Sequence, residues 1–118
     1  MFVGAAGSPY AAFHRALKAR NATLTLAEAR DMPRLNLPDV LELVLLLAET
    51  RHDLFERAAV RFAGRYLLER KALLPDGVLI LALLADVGEF GDVNSAARLR
   101  ELVRGRSCRM SLPAAGAS

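Results

Sequence analysis

The sequence predicts an all-α fold of about six helices, and three observations support this prediction. Leucine and alanine dominate the composition, with 22 and 21 of 118 residues, and both residue types favour helix. Apolar residues recur at three- and four-residue spacing along most of the chain. The run Val78–Leu81 could form a strand, but it continues at helix length and no second strand-like segment exists to pair with it.

The first two helices are predicted from their start signals. Ser8-Pro9 suits the first turn of a helix, because serine can accept an unpaired backbone N–H and proline lacks one. This helix is expected to reach Asn21. Thr25 followed by Glu28 fits a capping box, which predicts a second helix that starts there and stops before Pro33.

The third helix is predicted to be the central one. Asn36 is a suitable N-cap, and the helix is expected to run to about Glu49. Its segment Val40–Ala48 is apolar on nearly every side, with Glu42 as the one interruption. A helix of this kind is normally buried on all sides.

The fourth helix is predicted between His52 and Lys71, with Asp53 as its N-cap. It is amphipathic, with charges on one side and apolar residues at helical spacing on the other. The residues expected to face inward are Leu54, Phe55, Ala58, Ala59, Phe62, Tyr66 and Leu67.

The last two helices follow the same logic. Asp76 is expected to open a fifth helix over Val78–Val87 that Gly88 ends, since glycine suits the left-handed conformation found there. Because this segment is uniformly apolar, it is expected to be shielded by its neighbours as the third helix is. Asp92 is expected to cap a sixth helix that ends at Gly105.

An internal repeat suggests how the helices pack. A shift of 37 positions aligns Leu37-Pro38-Asp39 with Leu74-Pro75-Asp76, and Leu46–Glu49 with Leu83–Asp86. Periods near 40 residues are typical of stacked helix pairs, so a short α-solenoid-like stack is predicted. If the likeness is a coincidence between leucine-rich helices, an irregular helical bundle is the alternative.

The chain is expected to contain one domain, at residues 8–106, between an N-terminal extension (1–7) and a flexible C-terminal tail (107–118). The single cysteine, Cys108, cannot form an intramolecular disulfide, which favours the cytoplasm. No apolar run approaches the length of a membrane span. His14 and His52 belong to no metal-binding motif, so neither a metal nor another cofactor is predicted.

Positive charge is concentrated at the C-terminal end. The net charge is +3, but residues 1–97 carry −1 and residues 98–118 carry +4. A second basic feature is a stripe of arginines at i, i+4 and i+8 in the fourth helix, where Asp53 and Glu69 can offset the repulsion. The candidate residues for binding an anionic partner are Arg57, Arg61, Arg65, Arg98, Arg104, Arg106 and Arg109.

These observations lead to two functional hypotheses. The first is a non-enzymatic protein–protein interaction module, self-association included, because the apolar fraction exceeds what a core of this size needs. Exposed leucine and phenylalanine side chains would mark its contact surface. The alternative is a nucleic-acid-binding accessory or regulatory protein that uses the arginines. No combination of nucleophile, base and orienting group can be assembled, so no catalytic residue is predicted.

The segment Phe55–Glu69, with Leu35–Asp39 upstream, resembles small, uncharacterised all-helical proteins of high-GC actinobacteria. The resemblance covers about residues 10–104. A preference for 14 arginines over 2 lysines is compatible with a GC-rich genome. The resemblance implies a helical fold and no particular activity.

Overall fold

A computed structural model describes residues 9–30 and 35–104 of the chain. Within these ranges there are six α-helices and no strand, which confirms the all-α prediction. The predicted N-terminal extension and C-terminal tail lie outside the described residues. No helix in the described ranges combines the length and apolar character needed to cross a membrane. The helices are α1 (Pro9–Lys18), α2 (Ala22–Arg30), α3 (Leu37–Thr50), α4 (His52–Arg70), α5 (Leu74–Phe90) and α6 (Val93–Arg104).

The last four helices close into a bundle. α3 packs against α4, α4 against α5, α5 against α6, and α6 returns to α3. Gly77 near the start of α5 lies against Leu67 near the end of α4, whereas Gly88 lies against Phe55 at the other end, so α4 and α5 are antiparallel. Because α6 returns to α3, these helices form an irregular bundle rather than an open stack.

α3 is the central helix, as its sequence predicts. All side chains from Leu43 to Ala48 are buried. One side of α3 faces the bundle, and the hairpin formed by α1 and α2 packs against α3 as well. Phe13 of α1 is completely buried, and the apolar surface of α3 is thereby covered on both sides.

Three polar residues of α3 contact other parts of the chain. The carboxylate of Asp39 lies 3.1 Å from Nε2 of His14 in α1. Glu42 accepts two hydrogen bonds, at 2.7 and 3.1 Å, from the guanidinium group of Arg100 in α6. Glu49, at the far end of α3, pairs with Arg20 in the turn after α1.

α3 and α5 begin at corresponding positions of the 37-residue repeat. Each has the leucine of its Leu-Pro-Asp sequence as the first helical residue, Leu37 in one case and Leu74 in the other. Asn36 caps α3 as predicted, since its side chain accepts the backbone N–H of Asp39 at 2.9 Å. α5 has no polar N-cap, and instead the carboxylate of Asp76 accepts the N–H of Leu73.

The predicted start of α2 is wrong. α1 ends at Lys18, Arg20 adopts a left-handed φ of 58°, and α2 already begins at Ala22. The cap is Asn21, whose side chain accepts the backbone N–H of Leu24 at 3.0 Å. Thr25 is fully buried inside the helix, where its hydroxyl donates to the carbonyl of Asn21. Its side chain is therefore a core residue and not a cap.

The predicted end of α5 is also wrong. The helix continues through Gly88 to Phe90, and Gly91 ends it with a φ of +63°. Gly88 has a different role, because a Cβ atom built there would overlap the ring of Phe55. The glycine permits α4 and α5 to approach closely, which a local turn signal cannot reveal.

The N-cap predicted for α4 is corrected in the same way. α3 and α4 are separated by one residue, Arg51, whose backbone takes the capping position without a side-chain cap. Asp53 lies in the first turn and its carboxylate accepts two hydrogen bonds from the Arg51 guanidinium group, at 3.0 and 3.1 Å. The predicted cap of α6 is confirmed, since Asp92 accepts the N–H of Asn94 at 2.9 Å.

Candidate functional site

The arginine stripe of α4 is not one uniform surface. Arg57 and Arg61 are exposed and make no hydrogen bond or ion pair with any described residue. Arg65 lies on the flank of the helix, where its guanidinium group donates to the carbonyl of Leu35 and pairs with Glu69. Arg65 therefore joins α4 to the segment before α3, and its pairing with Glu69 at i, i+4 is as the sequence predicts.

The arginines of α6 lie away from those of α4. Arg98 and Arg104 are exposed on α6, whereas Arg106 and Arg109 lie outside the described residues. In the order of packing α3–α4–α5–α6, the helices α4 and α6 occupy opposite corners of the bundle. They meet at their C-terminal ends, where Arg70 donates to the carbonyl of Val103 at 2.6 Å. The outward-facing arginines of the two helices thus point in different directions.

Two exposed ion pairs change the protonation behaviour of their members. The hydrogen bonds from Arg51 hold the pKa of Asp53 below its usual value, and the same contact raises the pKa of Arg51. The hydrogen bonds from Arg100 to Glu42 likewise raise the pKa of Arg100. The Arg51–Asp53 pair is local to the start of α4, whereas the Arg100–Glu42 pair joins α6 to α3.

A buried carboxylate lies between α1 and α3. The side chain of Asp39 is 11% exposed; its Oδ1 bonds to His14, and its Oδ2 has no hydrogen-bond partner among the described residues. The Tyr10 ring lies against the His14 ring at 4.4 Å between centroids, with the two planes tilted by 42°. No cluster of three or more metal-binding side chains occurs in residues 9–30 and 35–104. The pair joins α1 to α3, and no described nucleophile completes a catalytic triad with it.

The most unusual surface belongs to α5. The sequence predicts that this apolar helix is shielded on all sides, but only one side is buried, through Ile80, Leu84 and Val87. On the opposite side Leu74 is 78% exposed and Val78 is 68% exposed. The prediction of complete shielding is therefore correct for α3 and wrong for α5.

The exposed residues of α5 follow a regular pattern. Leu74, Val78, Leu81 and Ala85 are separated by four, three and four positions, which places them along one side of the helix. No charged residue interrupts this row. Val60 of α4, 63% exposed, extends the apolar surface onto the neighbouring helix. We call these five residues the α4–α5 face.

A groove runs beside this row, between the start of α4 and the end of α5. It has a volume of about 440 Å³, and its wall includes both apolar residues and, at the rim, charged ones. Gly88 is part of the wall, at the point where a Cβ atom would meet the ring of Phe55. The lining consists of His52, Phe55, Glu56, Ala59, Val60, Leu81, Leu84, Ala85, Gly88 and Glu89.

Sequence reasoning did not identify the α4–α5 face as a candidate site. It named arginines for an anionic partner, expected a protein contact at exposed leucine and phenylalanine side chains without naming them, and treated the α5 segment as core. A uniformly apolar helix does not show which side is buried. The sequence has no signal that separates this row from the buried one, because Ile80, Leu84 and Val87 repeat at the same helical spacing. Comparison with known proteins adds no relative: no family model, curated protein or solved structure matches the chain.

Proposed function

We propose that this protein is a non-enzymatic helical interaction module whose contact surface is the α4–α5 face. One observation carries the proposal: the apolar side chains of Leu74, Val78 and Leu81 on α5 are exposed to solvent and form a row without a charged residue. In an isolated small protein, helices at the surface normally combine one apolar and one polar side. α5 can therefore pack against the core of its own chain with one side and against a partner with the other.

The energetics favour a partner on this surface. Fully burying a leucine or valine side chain stabilises by about 1.5–3 kcal/mol. Leu74, Val78 and Val60 are each more than 60% exposed, so most of this contribution is unused within the chain. Contiguous exposed apolar patches of this kind mark interaction surfaces on monomeric proteins.

The polar rim is compatible with such an interface. Glu56 and Glu89 border the groove, and His52 lies at its end. An apolar centre with a charged border is the usual composition of a protein–protein contact, where the border sets orientation and the centre supplies most of the affinity.

We propose no second function, because the described arginines are divided between opposite corners of the bundle. A nucleic-acid surface needs several cations along one path of phosphates. Arg57 and Arg61 supply two at one corner, and Arg98 and Arg104 supply two at the other. The proposal includes a protein partner and a cytoplasmic location, the latter supported by the single cysteine.

The experiment is site-specific photo-crosslinking in the cells that make the protein. A photoreactive amino acid at position 81 lies in the middle of the α4–α5 face. The matched control carries it at position 61, which is exposed on α4 on a charged surface. We expect a discrete cross-linked protein product from position 81 and none from position 61.

A second variant checks that the apolar surface causes the interaction. Val78→Lys with Leu81→Lys keeps α5 helical but places two like charges in the row, so the cross-linked product and the interaction should disappear. Arg57→Ala with Arg61→Ala is the control that leaves them unchanged. If positions 81 and 61 cross-link to the same extent and neither gives a discrete product, the proposed function is overturned.

A further inference from the structure

We infer that the partner of the α4–α5 face is a second copy of this chain, bound antiparallel about a two-fold axis near Leu81. This inference rests on the proposed function and adds the identity and orientation of the partner. The reason is that the face is complementary to a second copy of itself that is rotated by 180° about this axis. Both the sizes of its side chains and the charges at its two ends support this arrangement.

The side chains change size along α5. The N-terminal half of the row has large residues, Leu74 and Val78, whereas the C-terminal half has the small Ala85. Leu81 lies between them. An antiparallel partner brings the large half of each copy against the small half of the other, and a two-fold axis makes this match twice. A parallel partner would place large residues against large ones and leave a gap between the small ones.

The groove offers space for the large residues of the second copy. It lies beside the small half of the row, and its volume of about 440 Å³ compares with roughly 150 Å³ for a cavity that holds benzene. Phe55 and Ala59 provide apolar walls. Leu74 of the second copy, which is 78% exposed in one chain, would enter this groove.

The charges favour the same orientation. Glu56 and Glu89 flank the C-terminal end of the face, and Lys71 lies in the turn that precedes α5 at the other end. Antiparallel pairing brings Lys71 of one copy towards the glutamates of the other, twice, whereas parallel pairing brings the glutamates together. The dipoles of the two α5 helices also attract each other when antiparallel.

The size of the surface is adequate for a dimer. A stable interface buries about 800 Å² on each partner. α5 has 17 residues, and at 1.5 Å per residue it is about 25 Å long. Since neighbouring helix axes are 8–10 Å apart, the two-helix surface is about 20 Å wide. Its outline covers about 500 Å² on each copy, about 1,000 Å² in total, which is the lower end of the range for a specific interface.

Disulfide mapping tests the inference. In the full chain with Cys108→Ser, which removes the one native cysteine, Leu81→Cys should form a disulfide-linked dimer under mild oxidation. Leu74→Cys is the matched control: Leu74 is more exposed than Leu81, yet an antiparallel pair keeps the two copies of position 74 at least about 21 Å apart at 1.5 Å per residue. Disulfides need Cα atoms within about 7 Å.

Four measurements define the outcome. We expect the Leu81→Cys dimer on non-reducing gels, little dimer from Leu74→Cys alone, and a mixed dimer when Val78→Cys is combined with Ala85→Cys. Light scattering of the unmodified protein should give a dimer mass that Val78→Lys with Leu81→Lys reduces to a monomer. Self-linking of Leu74→Cys as fast as Leu81→Cys would refute the antiparallel arrangement.

The same experiments separate this inference from the proposed function. If the protein is monomeric at all concentrations and Leu81→Cys does not self-link, the second copy is excluded as the partner. Photo-crosslinking from position 81 to a different protein would then still support the interaction module. If both approaches give no product, the inference and the proposed function both fail.

Discussion

Gly64 and Gly88 provide a matched pair of substitutions that test the packing of α4 against α5. Each lies inside a helix, and each can be replaced by alanine with the addition of one methyl group. At Gly64 no atom lies within 4 Å of the added Cβ. At Gly88 the added Cβ would overlap the ring of Phe55, and it would lie 3.1 Å from the ring Cζ.

The expected magnitudes follow from these surroundings. Alanine in place of glycine inside a helix stabilises by up to about 1 kcal/mol, and Gly64→Ala should raise the free energy of unfolding by this amount. At Gly88 the same gain is opposed by overpacking, which costs about 1–3 kcal/mol. Phe55 is only 6% exposed, and its ring would have to leave its packed position to make room for the added methyl group. Gly64→Ala should therefore be more stable than Gly88→Ala by about 1–3 kcal/mol.

Urea denaturation followed by circular dichroism at 222 nm measures this difference. The Phe55→Leu background gives an internal check, because the smaller side chain removes the overlap. Gly88→Ala should lower the free energy of unfolding less in this background than in the unmodified protein. If Gly88→Ala stabilises the protein as much as Gly64→Ala does, the close approach of α4 and α5 is refuted. The reasoning about the groove beside Gly88 would fail with it.

Three further predictions concern the core and the polar contacts. Leu47→Ala should lower the free energy of unfolding by about 2–5 kcal/mol, because Leu47 is 2% exposed; urea denaturation measures it, and a loss below about 1 kcal/mol would contradict the central position of α3. His14→Phe removes the donor to the Asp39 carboxylate and should cost about 1–3 kcal/mol by the same assay, whereas an unchanged midpoint would mean that the contact is dispensable. Hydrogen bonds from Arg51 lower the pKa of Asp53 in the folded state. The ionised Asp53 therefore stabilises the fold at pH values above its pKa in the unfolded chain, and this stabilisation is lost as the pH falls through its lower pKa in the folded state. In the Asp53→Asn variant, the free energy of unfolding should therefore change less steeply with pH at acidic pH, and acid unfolding curves of both proteins measure this; equal curves would contradict it.

The helices could be predicted from the sequence wherever local signals agreed. The N-cap Asn36 and the apolar run after it define α3, and Asp92 defines the start of α6. At the start of α2 two local signals competed, since both Asn21 and Thr25 can cap a helix. The choice depends on tertiary burial, because Thr25 is needed in the core.

The end of α5 and its exposed side could not be predicted for a related reason. Gly88 has the local character of a helix stop, but its role depends on Phe55, 33 positions away in the sequence. Likewise, an apolar helix gives no sign of which side faces the core. Here the glycines Gly77 and Gly88 lie on the side that approaches α4, and this fixes which of the remaining residues point to solvent.

A uniformly apolar cylinder such as α3 has no preferred rotation about its own axis, since every side can be buried equally well. Its three polar contacts remove this freedom, because they reach different partners: His14, Arg20 and Arg100. A slip of one residue turns a helix by 100° and would break all three contacts at once. Each of the exposed pairs adds at most about 1 kcal/mol of stability. Together, the three contacts nevertheless fix the rotation of α3 about its own axis within an apolar interior.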